Sequence, residues 1–212
     1  MKNTFSKGFT LVELLIVITI LAALAAAVVV VLNPAELLAQ ARDAQRLSDM
    51  TTLRDAINLH ISQVSGPNLC HLVTAPAPPG NLCPATGYCT FTGTNSPFGA
   101  SPGVACAAPI APLALRMVNG TGWVTVNFGL IPGGAPIAVL PIDPVNNATF
   151  FYAYRADVTN NTFRLATRLE SVRHRPMMQN DGGPRSGCLT GATPWTHGDC
   201  FFEVGTNMMA GF

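Results

Sequence analysis

The hydrophobic pattern changes along the chain, and each change predicts a different element. Phe9 to Leu32 is an apolar run of twenty-four residues whose only formal charge is Glu13. From residue 35 to residue 61, apolar side chains instead recur every three or four positions, which is typical of one face of a helix. Residues 67–112 keep neither a helical nor a strand period, and short β-branched runs separated by turns follow them. The pattern predicts a long helix, an irregular region and a sheet.

The first apolar run is long enough to cross a membrane, because about 20 mostly apolar residues span the hydrocarbon core as a helix. Lys2 and Lys7 precede the run, and positively charged flanks tend to stay on the cytoplasmic side. The sequence therefore predicts a single-pass protein of the inner (cytoplasmic) membrane, with the C-terminal domain outside.

The helix is expected to continue to the stop signal Ser65-Gly66-Pro67. Its predicted apolar stripe consists of Leu37, Ala41, Ala44, Leu47, Met50, Leu53, Ile57 and Ile61, and other faces are expected to carry Arg42, Asp43, Arg46, Asp49, Arg54 and Asp55. A helix of about 55 residues would be on the order of 80 Å long. At Asn33-Pro34 the proline predicts a kink, a locally melted segment or a bend at the membrane surface.

Two hairpins and a last strand are predicted after the irregular region. The first hairpin joins residues 113–118 to 123–128 through Asn119-Gly120-Thr121-Gly122, and the second joins residues 149–155 to 162–169. A short strand is expected at 201–204. Four or five antiparallel strands packed against one helix make an α+β domain.

Six cysteines lie after the membrane run, and an even number in an exported domain predicts disulfides. They are Cys70, Cys83, Cys89, Cys106, Cys188 and Cys200. Six cysteines permit 15 pairings, so the connectivity stays open. The pairs closest in sequence are Cys188 with Cys200 and Cys83 with Cys89, which leaves Cys70 with Cys106. A zinc site is not favoured, because no C-x-x-C pair is present.

The hexapeptide Gly8-Phe9-Thr10-Leu11-Val12-Glu13 resembles the class III leader of type IV pilins and secretion pseudopilins. The resemblance implies that a membrane peptidase cleaves after Gly8 and methylates the new amine of Phe9. A lone carboxylate in hydrocarbon costs a few kcal/mol, so Glu13 needs a cationic partner. By resemblance, that partner is the Phe9 amine of a neighbouring subunit. The alternative is an uncleaved signal anchor whose Glu13 reaches the membrane interface.

Pattern and resemblance together predict a pilin-like α+β fold, with a long N-terminal helix packed on a small antiparallel sheet and disulfide-tied loops. Pro34 is the expected helix break. The predicted order is a leader (1–8), a transmembrane or filament-core helix (9–32), an amphipathic second half (33–64), a Pro/Gly/Cys-rich region (65–112), and the sheet with a C-terminal disulfide loop (113–212).

Composition argues against a nucleic-acid partner. The chain has 212 residues, of which 49% are apolar and 11% charged. Cleavage after Gly8 would remove both lysines, leaving ten arginines against eleven acids. A near-neutral chain lacks the basic balance that phosphate binding requires. The candidates for a local basic cluster are Arg164, Arg168, Arg173, His174, Arg175 and Arg185.

Neither an enzyme nor a cofactor is expected, because the nucleophile elbow, metalloprotease, phosphate-loop and dinucleotide motifs are absent. The histidines, at 60, 71, 174 and 197, are scattered and expected on the surface. The segment 140–170 resembles a block of pseudopilin-like proteins, where Asp143 and Asp157 are weak calcium candidates. Turn chemistry explains these acids as well, and also the glycosylation sequons at Asn119, Asn147 and Asn160.

The predicted function is that of a structural subunit of a type IV pilus-like filament. The alternatives are a pseudopilin of a type II secretion-like system and, less favoured, a non-polymerising anchored binding domain. The implied partners are copies of the chain and other pilins, a prepilin peptidase, the membrane, and an inner-membrane assembly platform with a separate ATPase. The final location would be a cell-surface or periplasm-spanning filament.

Overall fold

The computed structural model describes residues 8–70, 87–91, 97–98, 106, 114–182 and 200–206, except for the side chains of residues 30 and 31. The chain divides into two compact units, Met1–Ala39 and Gln40–Phe212. The first unit contains helix α1, Leu11–Leu32. The second contains most of helix α2, Pro34–Gln63, and a four-stranded sheet.

A single residue interrupts the long helix that the sequence predicts. Asn33 ends α1 in the left-handed conformation, with φ 40° and ψ 77°. Asparagine tolerates this region better than most residues do. Pro34 then begins α2, where its missing N–H costs nothing and its fixed φ suits the first turn. The backbone N–H groups of Glu36 and Leu37 donate to the carbonyl oxygen of Asn33 at 3.0 and 3.3 Å, so Asn33 caps the first turn of α2.

The buried face of α2 differs in part from the predicted stripe. Its buried positions are Ala39, Asp43, Arg46, Met50, Leu53, Ala56, Ile57 and His60, and apart from Ala56 they follow one another at intervals of four and three. The prediction is confirmed for Met50, Leu53 and Ile57. It is wrong for Leu37, Ala41 and Ala44, which are exposed, and for Asp43 and Arg46, which are buried. The charged residues are inside because they satisfy one another.

The sheet contains four antiparallel strands in chain order: β1 Tyr88–Cys89, β2 Ala153–Asp157, β3 Thr162–Thr167 and β4 Phe202–Gly205. The second predicted hairpin is confirmed as β2 and β3, in which Tyr154 lies opposite Leu165. The last predicted strand is confirmed as β4. β1 lies within the region expected to be irregular.

The first predicted hairpin is wrong within the described residues 114–128. One isolated bridge joins Asn119 and Asn127 there, and no strand forms. The backbone N–H of Trp123 donates to Leu115, and that of Leu140 donates to Arg116. The backbone of residues 115–118 is therefore shared with another loop instead of forming a two-stranded ladder. The apolar side chains of this segment still enter the core, since Trp123 and Phe128 are fully buried.

Both faces of the sheet are covered. Tyr152 and Tyr154 lie in one cluster with Met50, Leu53 and Ile57 of α2, whereas Phe151 and Ala153 lie in another. This alternation follows from the period of two in a strand. The second cluster contains Cys89, Phe98, Cys106, Ala166 and Phe201.

The described disulfide joins Cys89 and Cys106. The expected pairs Cys83–Cys89 and Cys70–Cys106 are therefore wrong, because proximity in sequence did not reveal which cysteines the fold brings together. Cys70 and Cys200 are also disulfide-bonded. Cys83 and Cys188 lie outside the described residues, and the expected pair Cys188–Cys200 stays a prediction.

A buried arginine joins α2 to two loops of the second unit. The Nε of Arg46 donates to Asp143 Oδ2 at 2.7 Å and its Nη2 to Asp143 Oδ1 at 3.0 Å. Its Nη1 donates to Asp43 Oδ1 at 2.8 Å and lies 3.4 Å from Glu170 Oε2. The side chains of Arg46, Asp43 and Asp143 are fully buried. Two parallel N–H···O bonds are the strongest arrangement for such a pair.

The same carboxylates hold the loop backbones. Asp43 accepts from the N–H groups of Glu170 and Ser171 at 2.8 and 2.7 Å. Burial opposes ionisation of Asp43, but these bonds and those from Ser171 and Arg46 side chains outweigh it and lower its pKa. Asp143 accepts from the N–H groups of Val145 and Asn146. We call Arg46, Asp43, Asp143 and Glu170 the Arg46 network.

Replacing Arg46 by alanine should destabilise the second unit strongly. The change leaves the carboxylates of Asp43 and Asp143 buried without their cation, which costs about 3–5 kcal/mol. The measurement is the denaturant midpoint of the full chain in detergent. The matched control is Arg54→Ala, because Arg54 pairs with Asp55 on the exposed side of α2 and should change stability by about 0.5 kcal/mol at most. Equal midpoints for the two variants would contradict this role.

Candidate functional site

The residues before α1 form an exposed segment that leads directly into the helix. Gly8, Phe9 and Thr10 are exposed, and Phe9 keeps 88% of its accessible surface. Thr10 is extended, with φ −82° and ψ 151°. Among the described residues, nothing lies within 4 Å of the position that a side chain on Gly8 would take. On its described side, the Gly8–Phe9 peptide bond is thus exposed.

Thr10 and Glu13 form a capping box at the start of α1. The backbone N–H and the hydroxyl of Thr10 donate to Glu13 Oε2 at 2.8 and 2.7 Å, and the N–H of Glu13 donates back to Thr10 Oγ1 at 3.3 Å. Two otherwise unsatisfied amide groups of the first turn gain partners in this way. The Glu13 carboxylate is consequently folded towards the N-terminal end of the helix, where the helix dipole also favours a negative charge.

The sequence prediction singled out Glu13 but missed Thr10. The signal was present, since threonine followed three residues later by glutamate before an apolar run is the sequence signature of a capping box. The structure thus places Thr10 between the predicted cleavage position and Glu13.

The described side chains of α1 offer an apolar surface. Residues Leu11–Val29 are long and apolar enough to cross a membrane, with a mean hydropathy of 2.8, and none of this stretch is buried within the chain. The 22 residues of α1 rise about 33 Å, which matches the hydrocarbon thickness of a bilayer. Small residues within 21–27 would let another helix approach closely. The helix therefore fits a single-pass membrane anchor and a helix–helix packing surface.

The two calcium candidates are occupied by N–H donors. Both oxygens of Asp143 accept from Arg46. Asp157 accepts from the N–H groups of Thr159 and Asn160 and from the side-chain amide of Asn160. The Asn160 amide and these N–H groups lower the pKa of Asp157. Within the described part of the chain, no three His, Cys, Asp or Glu side chains are grouped to hold a metal.

His60 contradicts the expectation that each histidine lies on the surface. It is fully buried in the face of α2 that packs on the core, and its ring meets the Phe128 ring edge-on at 6.4 Å between centroids. Within the described part of the chain, neither ring nitrogen has a hydrogen-bond partner. Loss of solvent lowers its pKa. The sequence signal was its position three residues after Ile57, on the same face of the helix.

Ser171, His174 and Asp43 lie together but do not have the geometry of a catalytic triad. Ser171 Oγ and Asp43 Oδ2 both face the same ring nitrogen of His174, Nδ1, at 3.0 and 3.7 Å. A relay would need the two ring nitrogens to serve different partners. Ser171 Oγ also accepts from the backbone N–H of His174, and Ser171 is fully buried. The group holds a turn.

Two members of the candidate basic cluster are inside the protein. Arg164 lies 3.3 Å from Glu203 Oε1, and Arg168 donates to the carbonyl oxygen of Cys200 at 3.2 Å. Both are buried. These two arginines are therefore not available for a local basic cluster, because the fold holds them inside. Arg185 lies outside the described residues.

Comparison with known proteins finds similarity at the N-terminus. A family model described as the prokaryotic N-terminal methylation motif matches residues 4–29. No curated protein and no solved structure matches the chain. The matched residues contain the exposed Gly8–Phe9 bond, the capping box and most of α1.

His60 predicts a loss of stability in mild acid. Its pKa is lowered in the folded state and lies near 6.5 in the unfolded chain, so the unfolded state binds more protons below pH 6.5. Its contribution to stability is therefore constant above pH 6.5, and falls by up to about 1.4 kcal/mol per pH unit below it. The measurement is the denaturant midpoint between pH 7 and pH 5. His60→Leu should remove this component, and identical pH slopes for variant and wild type would contradict it.

Proposed function

Residues 4–29 carry the class III prepilin leader of type IV pilins and pseudopilins, and from this premise we propose that the chain is a structural subunit of a type IV pilus-like filament. The main support for the proposal is that this leader runs directly into an apolar helix, of which Leu11–Val29 is not buried within the chain. The leader indicates a structural subunit rather than an enzyme.

Processing is the first step of the proposed function. Gly8 is the last leader residue, and a prepilin peptidase cleaves the exposed Gly8–Phe9 bond and methylates the amine of Phe9. Removal of residues 1–8 places this amine one residue before Thr10, whose N–H already donates to Glu13. The new cation and the Glu13 carboxylate then lie at the same end of α1.

Assembly follows from the environment that α1 needs. Before assembly the helix anchors the chain in the inner membrane, with residues 40–212 on the outer side. Leaving the lipid exposes the apolar run, and bundling with α1 helices of other copies or other pilins covers it again. The small residues of α1 permit the close packing that drives helix association. The energy for extraction comes from an assembly platform with its own ATPase.

Glu13 has a specific role in this scheme. Its carboxylate pairs with the Phe9 amine of a neighbouring subunit, because an unpaired carboxylate among apolar helices costs several kcal/mol. In the isolated chain, the Thr10 N–H and hydroxyl occupy the same oxygen. On assembly, the Glu13 carboxylate would thus replace its neutral Thr10 donors with the Phe9 ammonium group of the neighbouring subunit.

A pseudopilin of a type II secretion-like system is the second candidate. It is favoured by residues 140–170, which resemble a block of pseudopilin-like proteins. A pilus subunit should give long surface fibres that vanish when the gene is deleted. Fibres that persist after deletion would favour the secretion pseudopilin.

Intact mass of the membrane-extracted protein tests processing. With a co-expressed prepilin peptidase, the chain should lose Met1–Gly8 and gain one methyl group, and without the peptidase it should keep its full mass. The mature chain contains no lysine, so its only primary amine before methylation is that of Phe9. An amine-reactive reagent should label the unmethylated mature chain once. A leader retained under both conditions would favour the non-polymerising anchored domain.

Removing the Glu13 carboxylate should block assembly without blocking processing. In Glu13→Ala the Phe9 amine loses its partner, so the sheared filament fraction should fall at least about tenfold, the effect of 1.4 kcal/mol or more per subunit. The matched control is Glu36→Ala, which removes an acid beyond the membrane run. Filament yield is measured by immunoblot of the sheared fraction. Normal filaments from Glu13→Ala would contradict the pairing.

A further inference from the structure

The capping box at the start of α1 holds only one of the two carboxylate oxygens of Glu13. The backbone N–H and the hydroxyl of Thr10 both donate to Oε2, at 2.8 and 2.7 Å. Within the described part of the chain, Oε1 accepts no hydrogen bond. Because an ionised carboxylate can accept hydrogen bonds at both oxygens, the box leaves Oε1 available to a donor from outside the chain.

The same hydrogen bonds fix the position of the Glu13 side chain. A free glutamate side chain rotates about several bonds, and it loses this freedom when it is held in one conformation. Here the two donors of Thr10 hold Oε2, while Thr10 Oγ1 accepts from the Glu13 N–H at 3.3 Å. The carboxylate is therefore kept beside the first turn of α1 instead of lying along the apolar surface of the helix.

The surroundings of the box offer Glu13 few other partners. Residues 9–32 contain no further charge, and their only other hydrogen-bonding side chain is that of Thr19. The Thr19 hydroxyl donates to the carbonyl oxygen of Ile16 at 2.8 Å. A carboxylate in hydrocarbon is costly unless it has partners. While α1 lies in a membrane, the described residue that supplies them is thus Thr10.

We propose that Thr10 is a positioning residue for assembly, which holds Glu13 by Oε2 and leaves Oε1 to receive the Phe9 amine of a neighbouring copy. The inference rests on the proposed filament function and adds to it a role for Thr10. A methylated ammonium group has two N–H donors. One can bond to Oε1 first, and the other can then displace the neutral donors from Oε2, because charge-assisted hydrogen bonds are stronger.

A threonine that only capped the helix would behave differently. An N-cap residue contributes to helix stability, but α1 is a 22-residue apolar helix. In a membrane such a helix stays formed without its cap, because the lipid offers its backbone groups no other partners. Loss of capping alone would therefore leave assembly unchanged. Loss of the hold on Glu13 would lower assembly, since the side chain then has to be ordered as the subunits pair.

Thr10→Val tests this role in the full-length chain, expressed with a prepilin peptidase and the assembly machinery. Valine keeps the β-branched shape and the backbone N–H of threonine and removes only the hydroxyl. The sheared filament fraction should fall about fivefold, because the Glu13 side chain regains rotamer freedom that pairing must remove. The intact mass should still show that the leader is removed and the new amine methylated.

Two matched variants isolate the hydroxyl of Thr10. Thr10→Ser keeps both the donor and the acceptor of the capping box, so its filament yield should equal that of the wild type. Thr19→Val makes the same change within α1, where the hydroxyl bonds to Ile16 instead, and it should assemble normally. Equal yields from Thr10→Val and Thr19→Val would overturn the proposal, and so would a Thr10→Ser defect as large as that of valine.

Zero-length cross-linking of wild-type filaments identifies the partner of Glu13. The mature chain contains no lysine, so the amine that a lipid-soluble carbodiimide can join to a carboxylate is that of Phe9. Filaments are assembled from a mixture of ¹⁵N-labelled and unlabelled subunits. The amide should join Phe9 to Glu13 in peptide pairs of which one is heavy and one light, whereas amides confined to single copies would overturn the pairing.

The outcomes separate this inference from the proposed function. Absence of wild-type filaments would contradict the proposed function and the pairing together. Normal wild-type filaments with an undiminished Thr10→Val yield would overturn the role of Thr10 alone. A Thr10→Val chain that keeps its leader would assign Thr10 to cleavage instead, and would likewise overturn its role in assembly.

Discussion

The buried guanidinium of Arg46 is the constraint on which the second unit depends. A buried cation is tolerated only when its carboxylate partners reach it with good geometry. The positions of Asp43 and Asp143 are therefore constrained by their ion pairs with Arg46. Because these carboxylates also accept from backbone N–H groups at 145–146 and 170–171, one side chain fixes α2 and two loops at once. The aromatic core then closes around Met50, Leu53 and Ile57.

In the first unit, by contrast, the described apolar side chains of α1 lack partners within the described part of the chain. Within the described residues Leu11–Val29, none of the apolar stretch is buried by the chain, and its single acid is satisfied locally by Thr10. Such a helix is stable only where lipid or other helices surround it. The chain thus combines a unit with a packed aromatic core and a unit whose described apolar helix is exposed, a division that suits a single-pass membrane anchor.

Much of this could be predicted from the sequence where the signal is local or periodic. The leader hexapeptide, the length of α1, the hairpin of β2 and β3 and the strand β4 depend on neighbouring residues. The predictions were wrong where residues distant in sequence determine burial or backbone pairing. Arg46 was assigned to the surface because its charge was weighed without Asp143, ninety-seven positions away. Likewise, residues 114–128 have strand composition, but the Arg116 carbonyl accepts from the N–H of Leu140, which lies outside the predicted hairpin.

The Arg46 network also explains why α2 carries charges where leucine would pack. The buried positions of α2 repeat at intervals of three and four, so a helix displaced by seven residues would still present apolar side chains to much of the sheet. Arg46 cannot be displaced in this way, because only one register of α2 brings its guanidinium to Asp143 and the Asp43 carboxylate to the N–H groups at 170–171. The network therefore specifies register more than it adds stability, as buried polar groups do in some coiled coils.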